Sequence, residues 1–395
     1  MPSVPAGDDR SGAFEADVKL FLVFCLGLLT LTTMAGAVET AAPRAMIVET
    51  GTGSILYSKA AERPFAPANF TKLMTAAVVA DALAKGEVQP ETSYKVSEHA
   101  WRTGGAPARV TTMFAAVRSS VPVDALLKGL VVQYANDAAI ILAEGIGGTE
   151  EAFAARMNDL ARAIGMRQTR FVNPTGLNAK GARTSLSDIA RLVAHVQTDR
   201  PDLFGLYRLA EFEWNKILQT NKTTFLRDIP GVSGMIMAYD ETDGFGAVVT
   251  VERDGRRMLV LASGLKSPAE RDAEVRALID AAFAEFARVT LYPADVVVTT
   301  VRVFGGTETR VAVKGKTSVD VTLPNGERDE FRAKVVYDGP IRAPVTAGST
   351  VAMLEIRVDG RLYQQVPLVA AADVPAGTMA NRARDGLREL LVGWW

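Results

Sequence analysis

Short stretches in which apolar and polar residues alternate are separated by longer ones with an apolar repeat every three to four positions, which divides the chain into strands and helices. Residues 46–48 and 55–57 are apolar runs flanking Gly51, Thr52, Gly53 and Ser54. Two glycines able to take positive φ allow a tight turn there, so the pattern predicts a hairpin. Helical spacing follows over 71–85, 123–144, 151–165 and 185–197. FGAVVTVE and RRMLVLAS, joined through Asp254 and Gly255, predict a second hairpin, and an amphipathic helix follows over 268–288. Strands and helices mixed in this way predict an α/β domain over 38–289.

Beyond Tyr292 and Pro293 the pattern becomes β-branched alternation: VVVTTVRVF, TRVAVK, VDVTL, AKVVY, VAMLEIRV and YQQVPLV. Turn signals at Asn325 with Gly326, and at Asp359 with Gly360, separate these runs. They predict a small, separate all-β domain, sandwich-like, over 290–374. The terminal stretch 380–395 places Leu387, Leu390, Leu391, Trp394 and Trp395 at helical spacing, opposite Arg384, Arg388 and Glu389. Such an amphipathic helix suits a bilayer surface, with its tryptophans at headgroup depth, or docking on its own domain. Gly386 and Gly393 weaken it in either role.

At the other end, 20–37 reads LFLVFCLGLLTLTTMAGA, an uncharged run after Lys19 that finishes on Ala35, Gly36 and Ala37. This predicts an export signal over 1–37, cleaved after Ala37. The acidic residues Asp8, Asp9, Glu15 and Asp17 ahead of it are unusual in a signal and leave an uncleaved N-terminal anchor as the alternative. Length adds an expectation of two to three domains.

Composition narrows the chemistry. The 44 basic and 45 acidic side chains leave a net charge of −1, with no basic excess to hold a nucleic acid. One cysteine, Cys25, which lies inside the apolar leader, and two histidines, His99 and His195, exclude a disulfide framework, a structural zinc site and a Cys–His pair. No cofactor or metal is expected, and the histidines, nearly a hundred residues apart, read as surface or packing residues.

The stretches PFAPANFTKLMTA, LLKGLVVQYANDAAIILAEGIGG and FAARMNDLARAIGMRQTRFVNPTGL resemble the low-molecular-mass penicillin-binding proteins, the serine D-alanyl-D-alanine carboxypeptidases. The resemblance extends through GPIRAPVTAGSTVA in the β-rich region to the terminal helix. It implies a β-lactamase/transpeptidase-like α/β fold, an antiparallel sheet with flanking helices, joined to the small β domain. It also implies a place in the bacterial periplasm, work on peptidoglycan stem peptides, and attachment to the inner-membrane surface through the terminal helix.

The family's chemistry uses Ser-x-x-Lys, Ser-x-Asn and Lys-Thr-Gly. Aligned by the resemblance, all three are altered here. Asn69, Phe70, Thr71 and Lys72 occupy the first, so the lysine base remains while the nucleophilic hydroxyl is replaced by a carboxamide with no ionisable oxygen. Tyr134, Ala135 and Asn136 occupy the second, keeping the asparagine and putting a bulky phenol in place of serine. Ile236, Met237 and Ala238, within GVSGMIMAYDETDGFG, replace the cation and hydroxyl that would hold a substrate carboxylate. Arg271 aligns with an arginine that helps bind that carboxylate, and otherwise reads as an exposed helix residue. The backbone N–H groups of Asn69 and Tyr239 align with the oxyanion donors, which do not depend on side-chain identity.

Two further motif matches do not survive their context. Ser263 to Lys266 is a formal Ser-x-x-Lys at a strand end, and Lys316 with Thr317 lacks the first glycine of a phosphate loop, position 310 being Arg310. No carboxylate pair stands out for acid/base work. The expectation is an inactive homologue that binds stem peptide or a cell-wall protein. Two alternatives stay open: an active D,D-carboxypeptidase using Thr71, Thr75 or Tyr134 as nucleophile, and a membrane-tethered scaffold whose cleft is filled by Tyr134, Ile236 and Met237.

Overall fold

The computed structural model describes residues 38–325, 331–358 and 360–392. The readings made on 1–37, Gly326, Asp359, Gly393, Trp394 and Trp395 lie outside these, as do the side chains of Arg388, Glu389, Leu390 and Leu391.

The chain opens with β1 (Arg44–Glu49) and β2 (Ser54–Lys59), then a 3-10 turn (Ala68–Phe70) leading into α1 (Thr71–Ala84). Next come β3 (Ser93–Lys95), α2 (Glu98–Gly104), β4 (Ser120–Pro122), α3 (Val123–Gln133), α4 (Asn136–Gly147) and α5 (Glu150–Ala163). After these lie α6 (Leu186–Asp199), α7 (Pro201–Leu206), β5 (Glu211–Trp214), β6 (Ile217–Thr220) and α8 (Phe225–Asp228). The unit closes with β7 (Val232–Asp240), β8 (Gly244–Arg253), β9 (Arg256–Leu265) and α9 (Pro268–Ala284). An antiparallel sheet of order β2-β1-β9-β8-β7 forms its centre.

Alternation along these strands feeds two cores. Met46, Val248, Leu259 and Leu261 face the helical layer, whereas Ile47, Val249, Val260 and Ala262 face α9 and the β-rich region. α1 is apolar on every side, TKLMTAAVVADALA, and is buried along almost its whole length. It therefore runs through the helical layer and presents its N-terminus, with Asn69 and Lys72, toward β7.

Two predicted helices differ from what forms. The apolar repeat over 123–144 is two helices, because Tyr134 takes φ 54° and ψ 37° and ends α3, and α4 starts at Asn136. The repeat is blind to a single left-handed residue. The helix expected to reach 288 stops at Ala284, and Phe286–Tyr292, rich in β-formers, pairs instead as a strand.

The C-terminal all-β domain uses β10 (Phe286–Tyr292), β11 (Val297–Phe304), β12 (Arg310–Gly315), β13 (Val319–Pro324), β14 (Phe331–Val336), β15 (Ile341–Arg342), β16 (Thr350–Val358) and β17 (Arg361–Ala370). Six of them form a sheet of order β14-β16-β17-β12-β11-β15, and β10 pairs with β13. α10 (Met379–Val392) follows. Its first turns are tied to a glycine corner, Asp385 accepting from the Gly305 N–H at 2.8 Å and Asn381 donating to the Gly306 carbonyl at 3.0 Å. Met379 and Leu387 on the same helix stay exposed. No helix among the described residues is long and apolar enough to cross a membrane.

The β domain joins the sheet through buried polar groups. Glu49, fully buried, accepts from Arg288 at 2.5 Å, from Thr52 at 3.1 Å and from Thr322. Ser54 donates to Gln364, whose amide returns bonds to the carbonyls of Thr52 and Asp320. A buried acceptor with several donors is costly to weaken, so Glu49→Gln is expected to lower stability by about 1–3 kcal/mol in urea unfolding. An unchanged midpoint would refute a structural role for this joint.

Candidate active site

Two of the expected site residues, Asn69 and Tyr134, meet at the outer edge of β7, an end strand of the sheet. Asn69, half-buried, donates from Nδ2 to the Met237 carbonyl at 3.2 Å. The Met237 N–H donates to the Tyr134 hydroxyl at 3.2 Å. In an antiparallel strand the N–H and C=O of one residue point to the same side, so both outward groups of Met237 are occupied. The side chains of Asn69 and Tyr134 supply the partners. The Tyr134 hydroxyl in turn lies 2.5 Å from Thr223 Oγ1, which donates to the Met235 carbonyl at 3.1 Å. Tyr239, two residues past Met237, offers its N–H along the same edge, and its ring is exposed and packs on Phe245 with centroids 4.4 Å apart.

Tyr134 reaches that edge because of its left-handed backbone, uncommon for a bulky residue. Burial pushes its phenol up to about 12, against the opposing effects of Thr223, the Met237 N–H and the Arg271 charge. Arg271 is buried rather than an exposed helix residue. It is 8% exposed, in the first turn of α9, ion-paired to Asp272 at 2.7 Å, and its charge acts on the Tyr134 phenol. Ile236 and Ala238 are buried in the helical core, and Met237 is half-buried beside them.

Lys72 is 1% exposed and forms no ion pair among the described residues. Its Nζ donates to Asn69 Oδ1 at 2.9 Å and to the Thr175 carbonyl at 2.6 Å. Burial lowers its pKa from 10.5 to about 7. A neutral fraction is therefore present near neutral pH, and the group it faces is a carboxamide that gives up no proton. Asn136 donates to the Thr111 carbonyl and hydroxyl at 3.1 Å, while its buried Oδ1 has no partner among the described residues. Next to it, buried Asp137 fixes the preceding loop by accepting from Thr112 at 2.5 Å, Met113 N–H at 3.0 Å and Ala115 N–H at 3.1 Å. Desolvation raises the Asp137 pKa despite these bonds.

Other hydroxyls near Lys72 are spoken for or enclosed. Thr75 donates to the Pro174 carbonyl at 2.7 Å, and Thr71 is 1% exposed with its Oγ1 unpartnered among the described residues. The loop Asn173–Leu177, which supplies the carbonyls to Lys72 and Thr75, holds no residue that the sequence marks as part of the site. Its Asn-Pro-Thr-Gly signature does mark a turn, here closed by Asn173 Oδ1 accepting from Thr175 and Gly176. Thr223 carried no sequence signal at all. The histidines lie elsewhere and do have carboxylate neighbours, His99 beside Glu150 and His195 beside Asp199, each at 2.7 Å. No cluster of three or more metal-ligating side chains occurs among the described residues.

An antiparallel sheet whose edge strand faces the N-terminus of a buried helix defines a transpeptidase-like protein. The profile of D-alanyl-D-alanine carboxypeptidases matches residues 31–264, and that of the penicillin-binding protein 5 C-terminal domain matches 286–376. The chain belongs to the D-alanyl-D-alanine carboxypeptidase family. It is 28% identical over 338 residues to the carboxypeptidase DacF of Bacillus subtilis, covering 84% of this chain and 86% of that protein. To DacC of Escherichia coli it is 29% identical over 353 residues, 89% and 88% of the two chains. Penicillin-binding protein 5 from Haemophilus influenzae superposes with a TM-score of 0.73 at 26% identity, over 85% of this chain and 98% of that one.

Proposed function

We propose that this chain is a non-catalytic member of its family, acting in peptidoglycan metabolism by binding a stem peptide or a cell-wall protein rather than by cleaving one. The observation that carries this reading is the double occupancy of Met237. The side chains at both serine positions bond the strand edge along which a peptide would pair, and neither offers a hydroxyl that a base can activate. Tyr134, with its pKa near 12 and its hydroxyl buried, is a poor nucleophile, and Thr71 and Thr75 are enclosed. The unpartnered Asn136 Oδ1 and the exposed Tyr239 ring support retained binding, one as an acceptor for a peptide N–H and the other as an apolar surface. Location in the periplasm, a leader over 1–37, the division into 38–289 and 290–374, and a bilayer contact through 380–395 with Leu387 outward complete the reading.

A second reading, an active D,D-carboxypeptidase, draws on the curated relatives, which carry carboxypeptidase names, and on a Lys72 amine able to act as a base near pH 7. Release of D-alanine from a pentapeptide separates the two. Loss of a nucleophile costs on the order of 10⁶-fold in rate, so the native protein is expected to give none above buffer. A variant with Asn69→Ser, Tyr134→Ser, Ile236→Lys, Met237→Thr and Ala238→Gly is expected to give some. Release by the native protein, or a labelled β-lactam adduct mapped to Thr71, Thr75 or Tyr134, would overturn the non-catalytic reading.

A further inference from the structure

A groove of about 710 Å³ lies between the C-terminal end of α5, the 165–170 loop and the chain at Arg183, on elements that the cleft chemistry does not use. Four arginines line it, Arg162, Arg167, Arg170 and Arg183, against a single carboxylate, Asp159. Asp159 is already ion-paired to Arg162. Arg167, Arg170 and Arg183 are exposed, and none has a side-chain ion pair or hydrogen bond among the described residues.

Arg170 and Arg183 face each other across an isolated antiparallel bridge. The N–H of each donates to the carbonyl of the other, at 2.8 and 3.1 Å. Directly opposed residues of such a pair project from the same face with their Cβ atoms about 5 Å apart, and like charges in that arrangement destabilise the pairing. A chain of net charge −1 thus concentrates unneutralised positive charge at one place, at a cost to its own folding.

The backbone beneath is held in place. Buried Asp188 accepts from the Gln168 N–H and the Thr169 hydroxyl, both at 2.7 Å. Asn158 brackets Phe171, donating to its carbonyl at 2.8 Å and accepting from its N–H at 2.9 Å. The guanidinium stems therefore start from fixed positions, which lowers the ordering cost when an anion binds.

We propose that this groove is a binding site for a phosphate-bearing anion, clamped between Arg170 and Arg183 with Arg167 adding a third guanidinium. Guanidinium forks match phosphate oxygens in pairs, and a doubly charged group relieves the opposed charges that a single carboxylate would only half neutralise. The phosphate can belong to a soluble ligand or to a lipid headgroup. The site does not depend on whether the Met237 edge is catalytic.

The test titrates inorganic pyrophosphate, and separately vesicles of anionic phospholipid, against the full chain at low and high salt. Arg170→Gln/Arg183→Gln is compared with Lys334→Gln, an exposed cation on β14. Saturable binding that weakens with salt, falls at least about tenfold in the double variant and is kept in the Lys334 variant is expected. Arginine-dependent binding to pyrophosphate assigns a soluble source, and arginine-dependent binding to vesicles alone assigns a headgroup. Vesicle binding by the terminal helix would be unaffected by the double variant and is told apart in that way. The double variant is expected to melt at the same temperature as the native chain or above it, since it removes a repulsion. Absence of saturable binding to either probe, binding indifferent to the two arginines, or a fall in melting temperature that marks them as structural would overturn the proposal.

Discussion

Replacing Lys72 by methionine is expected to stabilise the protein by about 2 kcal/mol at pH 6.5 and to destabilise it by about 1–3 kcal/mol at pH 10, the two stability curves crossing in between. The folded chain holds this amine with a pKa of about 7, while the unfolded chain returns it to 10.5. Between those values the unfolded state binds the extra proton, so stability rises with pH. Below pH 7 both states are protonated and the full cost of a buried ammonium, about 5 kcal/mol, is present. Methionine has nearly the same length and no charge to desolvate, and it gives up only the bonds to Asn69 Oδ1 and the Thr175 carbonyl. Urea unfolding of both proteins at pH 6.5, 8 and 10 measures the difference. An identical pH slope in the variant, or no gain at pH 6.5, would mean that the amine is solvated or paired.

This cost gives the lysine a structural meaning beside any chemical one. In the family's motif it would serve as a base, and here its two bonds connect α1 to the 173–177 loop and to the residue that covers the strand edge. Asn69 is thereby held from both sides, by Lys72 on its oxygen and by Met237 on its nitrogen. A serine could not bridge these groups in the same way, since it has one short hydroxyl where asparagine has a separate donor and acceptor.

How much of this was legible in the sequence depended on the range of the interaction. Hairpins with glycine turns, the buried helix α1 and the alternation of the β domain are local patterns, and they appeared where expected. Asn69, Lys72, Tyr134 and Asn136 were picked out by the spacing of the motifs they resemble. Their joint effect was not, because Asn69 and Tyr134 lie 168 and 103 residues from the backbone groups they engage. Only the order of strands places Met237 on an edge, and only the φ of Tyr134 turns its ring toward it. Arg271 failed to show its burial for a related reason: a charged residue in the first turn of a helix looks solvated until its neighbours are placed. The opposed pair Arg170 and Arg183 is formed by a single bridge of the kind no periodicity reports.

Gly176→Ala is expected to destabilise the chain by at least about 3 kcal/mol, because two costs coincide at that position. Its φ of +75° is a conformation that costs an L-residue about 1–2 kcal/mol. A Cβ there would also lie 1.8 Å from the Ala68 carbonyl oxygen and 2.9 Å from Thr71 Oγ1, both on the segment that carries Asn69. Backbone oxygen cannot rotate away, so the 173–177 loop has to lift and takes the Thr175 carbonyl from Lys72. Gly53→Ala serves as the control, since Gly53 has φ +74° with nothing within 4 Å of the new methyl, and only the backbone cost of about 1–2 kcal/mol applies. The difference between the two midpoints in urea therefore measures the close packing of loop on helix start. Equal losses in the two variants would show that the loop rests loosely and that Lys72 is not held by it. A larger loss at Gly176, together with a weaker pH dependence of stability, would tie the loop, the lysine and the covered strand edge into one unit.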